Sequence, residues 1–259
     1  MTVTTAEIMT WLGAFFWPFI RIGAMMLVAP VLGDEQISVR LRLLLAVALT
    51  VGVMPVVGLA PAVEPLSSEG LLIALQQVVI GMAMGLLIGL ALQSASLAGE
   101  SIAMSMGLGF ANMVDPVTGQ STPVVSQFLL VVATLLFITV GGHLMLIELT
   151  AESFVAMPIG TEGLTEEDLQ TVAGWGAQMY AGAVLIALPA VIMLQMVYLS
   201  LGVMTRAAPQ MNIFSVGFPV TMLVGFIALM TLVIPSLPGR MAGIWSDAFN
   251  TIGAILGTN

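Results

Sequence analysis

Cysteine and lysine are both absent from the 259 residues, and histidine occurs once, at His143. Without thiols the chain forms no disulfide and no thiolate metal site, which leaves its redox compartment open. Without lysine it has no phosphate-binding Walker loop, and one histidine falls short of the paired ligands that a helical zinc hydrolase carries one turn apart. Charge of either sign is scarce: five arginines stand against 14 acidic residues, a net charge of −9. Such a surface repels a nucleic-acid backbone rather than recruiting it. No Gly-x-Ser-x-Gly elbow is present, and Gly107-Leu108-Gly109 lacks the third glycine and preceding strand of a dinucleotide site. The chain is therefore expected to be no enzyme and to hold no cofactor and no metal.

What is abundant is apolar surface. Hydrophobic residues make up 59% of the chain and its mean hydropathy is +1.12, more than a soluble domain of this size can bury. A hydrocarbon layer about 30 Å thick needs roughly 20 apolar residues in a helix. Six nearly uncharged runs reach or approach that length, at 12–33, 43–61, 71–99, 124–147, 172–203 and 213–234. Because they are continuously apolar rather than alternating, they read as helices and not as barrel strands, and the fold class is all-α. A last stretch, 241–259, contains Asp247 and reads as a partly buried or interfacial helix. Glu7 and no basic residue precede the first run, so the N-terminus reads as retained.

The joints carry breakers: Gly33-Asp34, the stretch 61–68, Asp115-Pro116 with Gly119, and 158–163. No repeat and no soluble second domain is visible, so residues 1–259 are read as one domain. Arg40, Arg42 and Arg206 fall on one side of a six-span arrangement and Arg240 on the other, which by the arginine bias puts both termini outside.

Three features ask for more than lipid filling. Gly81, Gly85 and Gly89 recur every four residues on one helix face, where another backbone can approach closely, from the same chain or from a partner subunit. Arg21 lies inside an apolar run, where an arginine costs roughly 2.5–3.5 kcal/mol, and so needs a compensating environment. A proton path through Glu100, His143 and Glu148 is conceivable, but structural pairing of Arg21 and His143 with carbonyls or carboxylates inside a bundle is the stronger reading. The third feature is the segment 100–123, where Gly107 and Gly109 interrupt a helix among Met104, Met106, Leu108, Phe110, Met113 and Val114. Such a segment is a buried helix corner, or it lines a cavity.

Several tags, in order, resemble the FliR family of the flagellar export gate, with SctT as its counterpart in virulence-associated type III secretion. They are Arg21-Ile22-Gly23-Ala24-Met25-Met26, Ala29-Pro30-Val31-Leu32-Gly33, Arg40 with Arg42, Ala98-Gly99-Glu100, Gly107 to Asp115-Pro116, Gly141-Gly142-His143, Ser153-Phe154 to Pro158, and Arg206-Ala207-Ala208-Pro209-Gln210-Met211-Asn212-Ile213-Phe214 followed by Gly217-Phe218-Pro219. The resemblance implies a non-enzymatic membrane subunit of the bacterial inner membrane and flagellar basal body. It would join FliP and FliQ as the entry pore for unfolded flagellar substrates, with FlhB around it. It implies bent hairpins lying largely out of the lipid plane, so that hydropathy runs overstate what crosses the bilayer, and a FliQ-like hairpin at about 172–234. It also implies a plug within 106–123, formed by Met106, Gly107, Leu108, Gly109, Phe110, Met113 and Asp115, with Phe110 as the apolar stopper. Met113 stands where the family often has a second aromatic. The turn holding Arg206, Pro209, Gln210, Asn212 and Phe214 is implied as a partner and entrance turn. The reading from another class is a secondary transporter with a helix broken at Gly107, and an intramembrane hydrolase stands third.

Overall fold

The computed structural model describes residues 5–34, 37–58, 61, 63–109, 124–210 and 212–258. Among these the secondary structure is helical throughout: α1 (Thr5–Val28), α2 (Val39–Val53), α3 (Ser68–Ser105), α4 (Val124–Thr139), α5 (Gly142–Ala156), α6 (Glu166–Ala207), α7 (Ile213–Ala228) and α8 (Ile234–Leu256). A π turn, Leu229–Val233, joins the last two.

Local chemistry sets the ends. Ser67 Oγ accepts from Gly70 N at 3.0 Å and starts α3. At α6 a reciprocal capping pair forms: Asp168 Oδ2 accepts from Thr165 N at 2.8 Å while Thr165 Oγ1 accepts from Asp168 N at 3.2 Å. Glu166, Glu167 and Asp168 in its first turn and Arg206 in its last complement the helix dipole. That cap is why α6 begins six residues before the apolar run at 172.

Two runs fold differently from the sequence reading. The stretch 124–147 is not one helix: the chain bends by 61° between α4 and α5. Gly141 takes φ +76, a conformation costly for other residues, and Gly142 leaves room for the Phe137 ring. Conversely, 213–234 and 241–259 are parts of one helix, Ser215–Leu256. The chain passes through the π turn Leu229–Val233 into α8, which carries Pro235 near its start and Pro238 within it, and the helix continues. Leu237, Met241, Trp245, Ala248, Phe249, Ile252, Ile255 and Leu256 then bury one face of α8 at helical spacing.

Among the described residues three helices are long and apolar enough to cross a membrane, Ser68–Ser105, Glu166–Ala207 and Ser215–Leu256, and the bent pair α4 and α5 makes a fourth if counted as one span. Of the other runs expected to be long, α2 has only 15 residues and the apolar part of α1 is Gly13–Val28.

The helices pack as two compact units, one of Met1–Leu90, Phe137–Gly176 and Ser246–Asn259, the other of Ala91–Leu136 and Ala177–Trp245. In the first, Trp17, Ile22, Met25, Ile73, Ile80 and Leu87 are buried within α1 and α3. In the second, Ile102, Leu129, Ala133, Ile186, Ala190, Leu194 and Val233 form the apolar interior.

Candidate functional site

The end of α3 is the root of the segment that the glycines mark. Gly107 sits at φ +85. Its N–H donates to Met104 O at 3.1 Å, and Leu108 N–H donates to Ala103 O at 3.0 Å. These paired bonds form a left-handed helix stop that satisfies the terminal carbonyls, and glycine is the residue that adopts it without strain.

Other helices of the same unit hold this stop. Tyr198 Oη on α6 donates to Ser105 O at 3.0 Å, and Thr221 Oγ1 on α7 donates to Met106 O at 3.2 Å. Met106 is wholly buried, its side chain filling the notch that Gly225 leaves. A Cβ on Gly107 would lie 3.4 Å from the Phe218 ring. Leu108 and Gly109 follow, both half-buried, with Gly109 against Met104 Sδ. The structure therefore brings Met106, Gly107, Leu108 and Gly109 together at a fixed anchor. Phe110, Met113 and Asp115 lie outside the described residues.

The glycine face of α3 receives α1 of the same chain. Cβ atoms added at Gly81 and Gly85 would meet backbone: Arg21 O at Gly81, and Met25 O at 2.5 Å and Ala29 N at 3.0 Å at Gly85. At Gly89 the approach relaxes, with Val28 O at 3.3 Å.

That contact carries Arg21 into the interior of the first unit, where it is 0% exposed. Its Nε donates to Gln77 Oε1 at 2.8 Å, its Nη1 to Ser153 O at 2.8 Å and Ser153 Oγ at 2.9 Å, and its Nη2 to Met157 O at 2.9 Å. The guanidinium lies 4.3 Å from the centroid of Phe154. Compensation comes from the carbonyl end of α5 and an aromatic face: a cation at the negative end of a helix dipole, with its fork committed to acceptors. His143 is different. It is half-buried, its Nδ1 has no hydrogen-bond partner, and Glu148, one and a half turns on, is exposed.

The turn between α6 and α7 presents Arg206, Pro209, Gln210 and Asn212 as exposed residues. Asn212 O accepts from Ser215 N at 3.2 Å and from Ser215 Oγ at 2.9 Å, which opens α7. Phe214 lies in the first turn of α7, and its side chain is outside the description. Among the described residues no three histidine or acidic side chains converge as a metal site would require.

Sequence reading did not single out Tyr198, Thr221, Gly225 or Gln77, and it marked Ser153 only within the tag Ser153-Phe154 to Pro158. One signal was available. Gly217, Thr221 and Gly225 recur every four residues and are buried, the same small-residue pattern that marks the close face of α3.

In sequence the chain is similar to known proteins over nearly its full length. Residues 12–248 match the family described as bacterial export proteins, family 1. The flagellar biosynthetic protein FliR of Pectobacterium carotovorum subsp. carotovorum is 36% identical over 256 residues, 99% of this chain and 97% of that protein. FliR of Escherichia coli K12 is 35% identical with the same coverage, and FliR of Bacillus subtilis 168 is 29% identical over 219 residues, 83% of this chain and 84% of that protein.

Proposed function

The chain belongs to the FliR family of bacterial export proteins, and from that premise we propose that it is the subunit that helps form, and plugs, the entry pore of the flagellar export apparatus. Membership makes it a membrane component of that apparatus. The finer reading is that it assembles with FliP and FliQ in the bacterial inner membrane at the flagellar basal body, with FlhB around the complex. Unfolded export substrates are its cargo, and it has no catalytic role.

The observation that carries the reading is the length of exposed apolar surface on one helix. On α6 exposed large apolar side chains extend from Leu169 (45% exposed) through Val184, Leu188, Ile192 and Met196 to Met204 (45%), whereas on α3 they cover Leu71 to Leu86 and return at Met104. At 1.5 Å per residue the α6 stretch is about 50 Å long. A 30 Å hydrocarbon layer covers about 40 Å of a helix even at the steepest usual tilt, near 40°. The remainder needs a protein cover, and its chemistry calls for other apolar helices, as FliP and FliQ would supply.

The anchor supports the plug reading. A stopper must withstand displacement at its tip while its base stays fixed, and the stop at Met106 and Gly107, held by Tyr198, Thr221 and Gly225, would be such a base. Phe110 would then fill the constriction, with Leu108 and Met113 lining it and Asp115 at the following turn. Apolar side chains at a narrow point exclude water and ions. The exposed turn with Arg206, Pro209, Gln210, Asn212 and Phe214 would meet partners at the cytoplasmic entrance, and the hairpin at about 172–234 would take the FliQ-like place. The three close glycines of α3 serve packing within the chain itself. A transporter reading would assign Arg21 to a solute, but its Nε, Nη1 and Nη2 are already committed to the chain's own acceptors.

The test is copurification. The tagged chain, expressed with FliP and FliQ and extracted in mild detergent, should retain both in fixed proportion, whereas the chain expressed alone should self-associate through the same exposed surface. A monodisperse chain that retains neither protein would contradict the reading.

A further inference from the structure

An apolar groove of about 420 Å³ lies among α1, α2 and α3 in the first unit, within the size range of about 300–1,000 Å³ typical of ligand sites. Phe19, Leu27, Leu43 and Met82 line it, and among the described residues Arg42 is the single charged one in its walls. Gly23 also faces it, and a Cβ there would meet nothing within 4 Å. The groove is open at its rim, where Leu27 and Leu43 are exposed by 63% and 52%.

Arg42 is only partly used. Its Nη2 donates to Gly33 O at 3.1 Å and to Asp34 O at 2.7 Å, tying α2 to the loop after α1. Its Nε is buried and has no hydrogen-bond partner. A buried guanidinium N–H without an acceptor is costly, and a ligand oxygen would remove that cost. Arg40 is exposed, two residues earlier. Arg40 and Arg42 are two of the chain's five arginines, and Asp34 and Glu35 precede them in the sequence, so the segment is balanced in formal charge and the attraction rests on the guanidinium itself.

An apolar trough beside an unfilled cationic fork fits one kind of molecule, an amphiphile with an acyl tail and an anionic head. We propose that this groove binds an anionic phospholipid, one acyl chain lying along α1 and α2 and its phosphate taken by Arg42, with Arg40 alongside. The guanidinium fork matches phosphate geometry, and basic pockets between membrane helices are suited to anionic headgroups. Arg40 and Arg42 stand in the first turn of the 15-residue α2, and Leu41, Leu44 and Val47 are exposed along it, so a headgroup at the arginines would leave apolar surface beside the tail. A docked helix would fill the trough but would satisfy Arg42 only by bringing an acceptor of its own.

The test uses the full chain, delipidated in a neutral detergent. It is titrated with phosphatidylglycerol, with phosphatidylcholine of the same acyl chains, and with glycerol phosphate as a head without a tail, and bound lipid is read by native mass spectrometry. Phosphatidylglycerol should be held about tenfold more tightly than phosphatidylcholine at low salt, and glycerol phosphate far more weakly than either. Arg40→Gln, which leaves the Arg42 turn bonds intact, should lose about fivefold for phosphatidylglycerol alone. Gly23→Leu fills the trough and should weaken both lipids without lowering the thermal midpoint of the lipid-free chain. Equal retention of the two lipids, no effect of Gly23→Leu, or glycerol phosphate binding as tightly as the lipid would overturn the proposal. Loss of the bound lipid on coexpression with FliP and FliQ would also overturn it, in favour of a helix-docking groove.

Discussion

Replacing Gly85 by leucine should separate α1 from α3 and destabilise the isolated chain by at least about 3 kcal/mol, the upper end of ordinary overpacking costs. The reason is the kind of atom in the way. Even the first carbon of the new side chain would lie 2.5 Å from Met25 O and 3.0 Å from Ala29 N, and backbone on a helix cannot swing aside as a side-chain tip can. Gly81 is tighter still, against Arg21 O, so Gly81→Ala should produce the same effect with one carbon. The control is Gly52→Leu, at an exposed position where an added Cβ meets nothing within 4 Å. Thermal unfolding of the detergent-purified chain checks all three. A Gly85→Leu chain melting with the parent would show that α1 does not pack on this face. Because the neighbour is α1 and not a partner, the loss should appear without any other subunit present.

Arg21→Met should cost about 3–5 kcal/mol, the range found when one member of a buried charged network is removed. Methionine keeps much of the apolar stem, so the deficit reports the lost bonds. Gln77 Oε1, Ser153 O and Met157 O would each lose their guanidinium donor, and α5 would lose the cation that faces its carbonyl end. Arg21→Lys should recover only part of the loss, because one ammonium group cannot reach Gln77, Ser153 and Met157 together as the planar fork does. A double-mutant cycle with Gln77→Leu should give a coupling of about 1–3 kcal/mol. Near-zero coupling, or an Arg21→Met chain as stable as the parent, would remove Arg21 from its place as the polar centre of the first unit.

How far these features were legible in the sequence depends on whether their cause is local. Helical class followed from uninterrupted apolar runs, and α3 and α6 contain the runs at 71–99 and 172–203. Their ends lay beyond the apolar limits because caps are built from polar residues, as Thr165 and Asp168 show. The bend at Gly141 and the continuation of 213–234 into 241–259 were misjudged for opposite reasons. Apolar character persisted across a break that backbone conformation imposes, while Asp247 and a weaker apolar pattern set apart a stretch into which the helix runs on through a π turn. Arg21 announced that it needed partners, but Gln77 is 56 and Ser153 is 132 positions away, and no periodicity spans such distances. The glycine stripe foretold close approach without naming the neighbour. At the end of α3, Gly107 and Gly109 marked the interruption, whereas Tyr198, which helps hold it, is an ordinary member of an apolar helix and Thr221 shows only in its spacing with Gly217 and Gly225. The stopper itself, Phe110 with Met113 and Asp115, rests on the resemblance and on the anchor beneath it.

The most direct measurement is therefore made on Phe110→Ala in the assembled complex, comparing small-ion or solute leak across expressing cells with the amount of complex in the same membranes. If Phe110 fills a constriction, truncation opens a hole and leaves the fold intact, so leak should rise while abundance is unchanged. A phenylalanine buried in a core would cost about 3–5 kcal/mol on truncation. Lost abundance with no increase in leak would contradict the plug and return the segment after Gly107 to a packed helix corner.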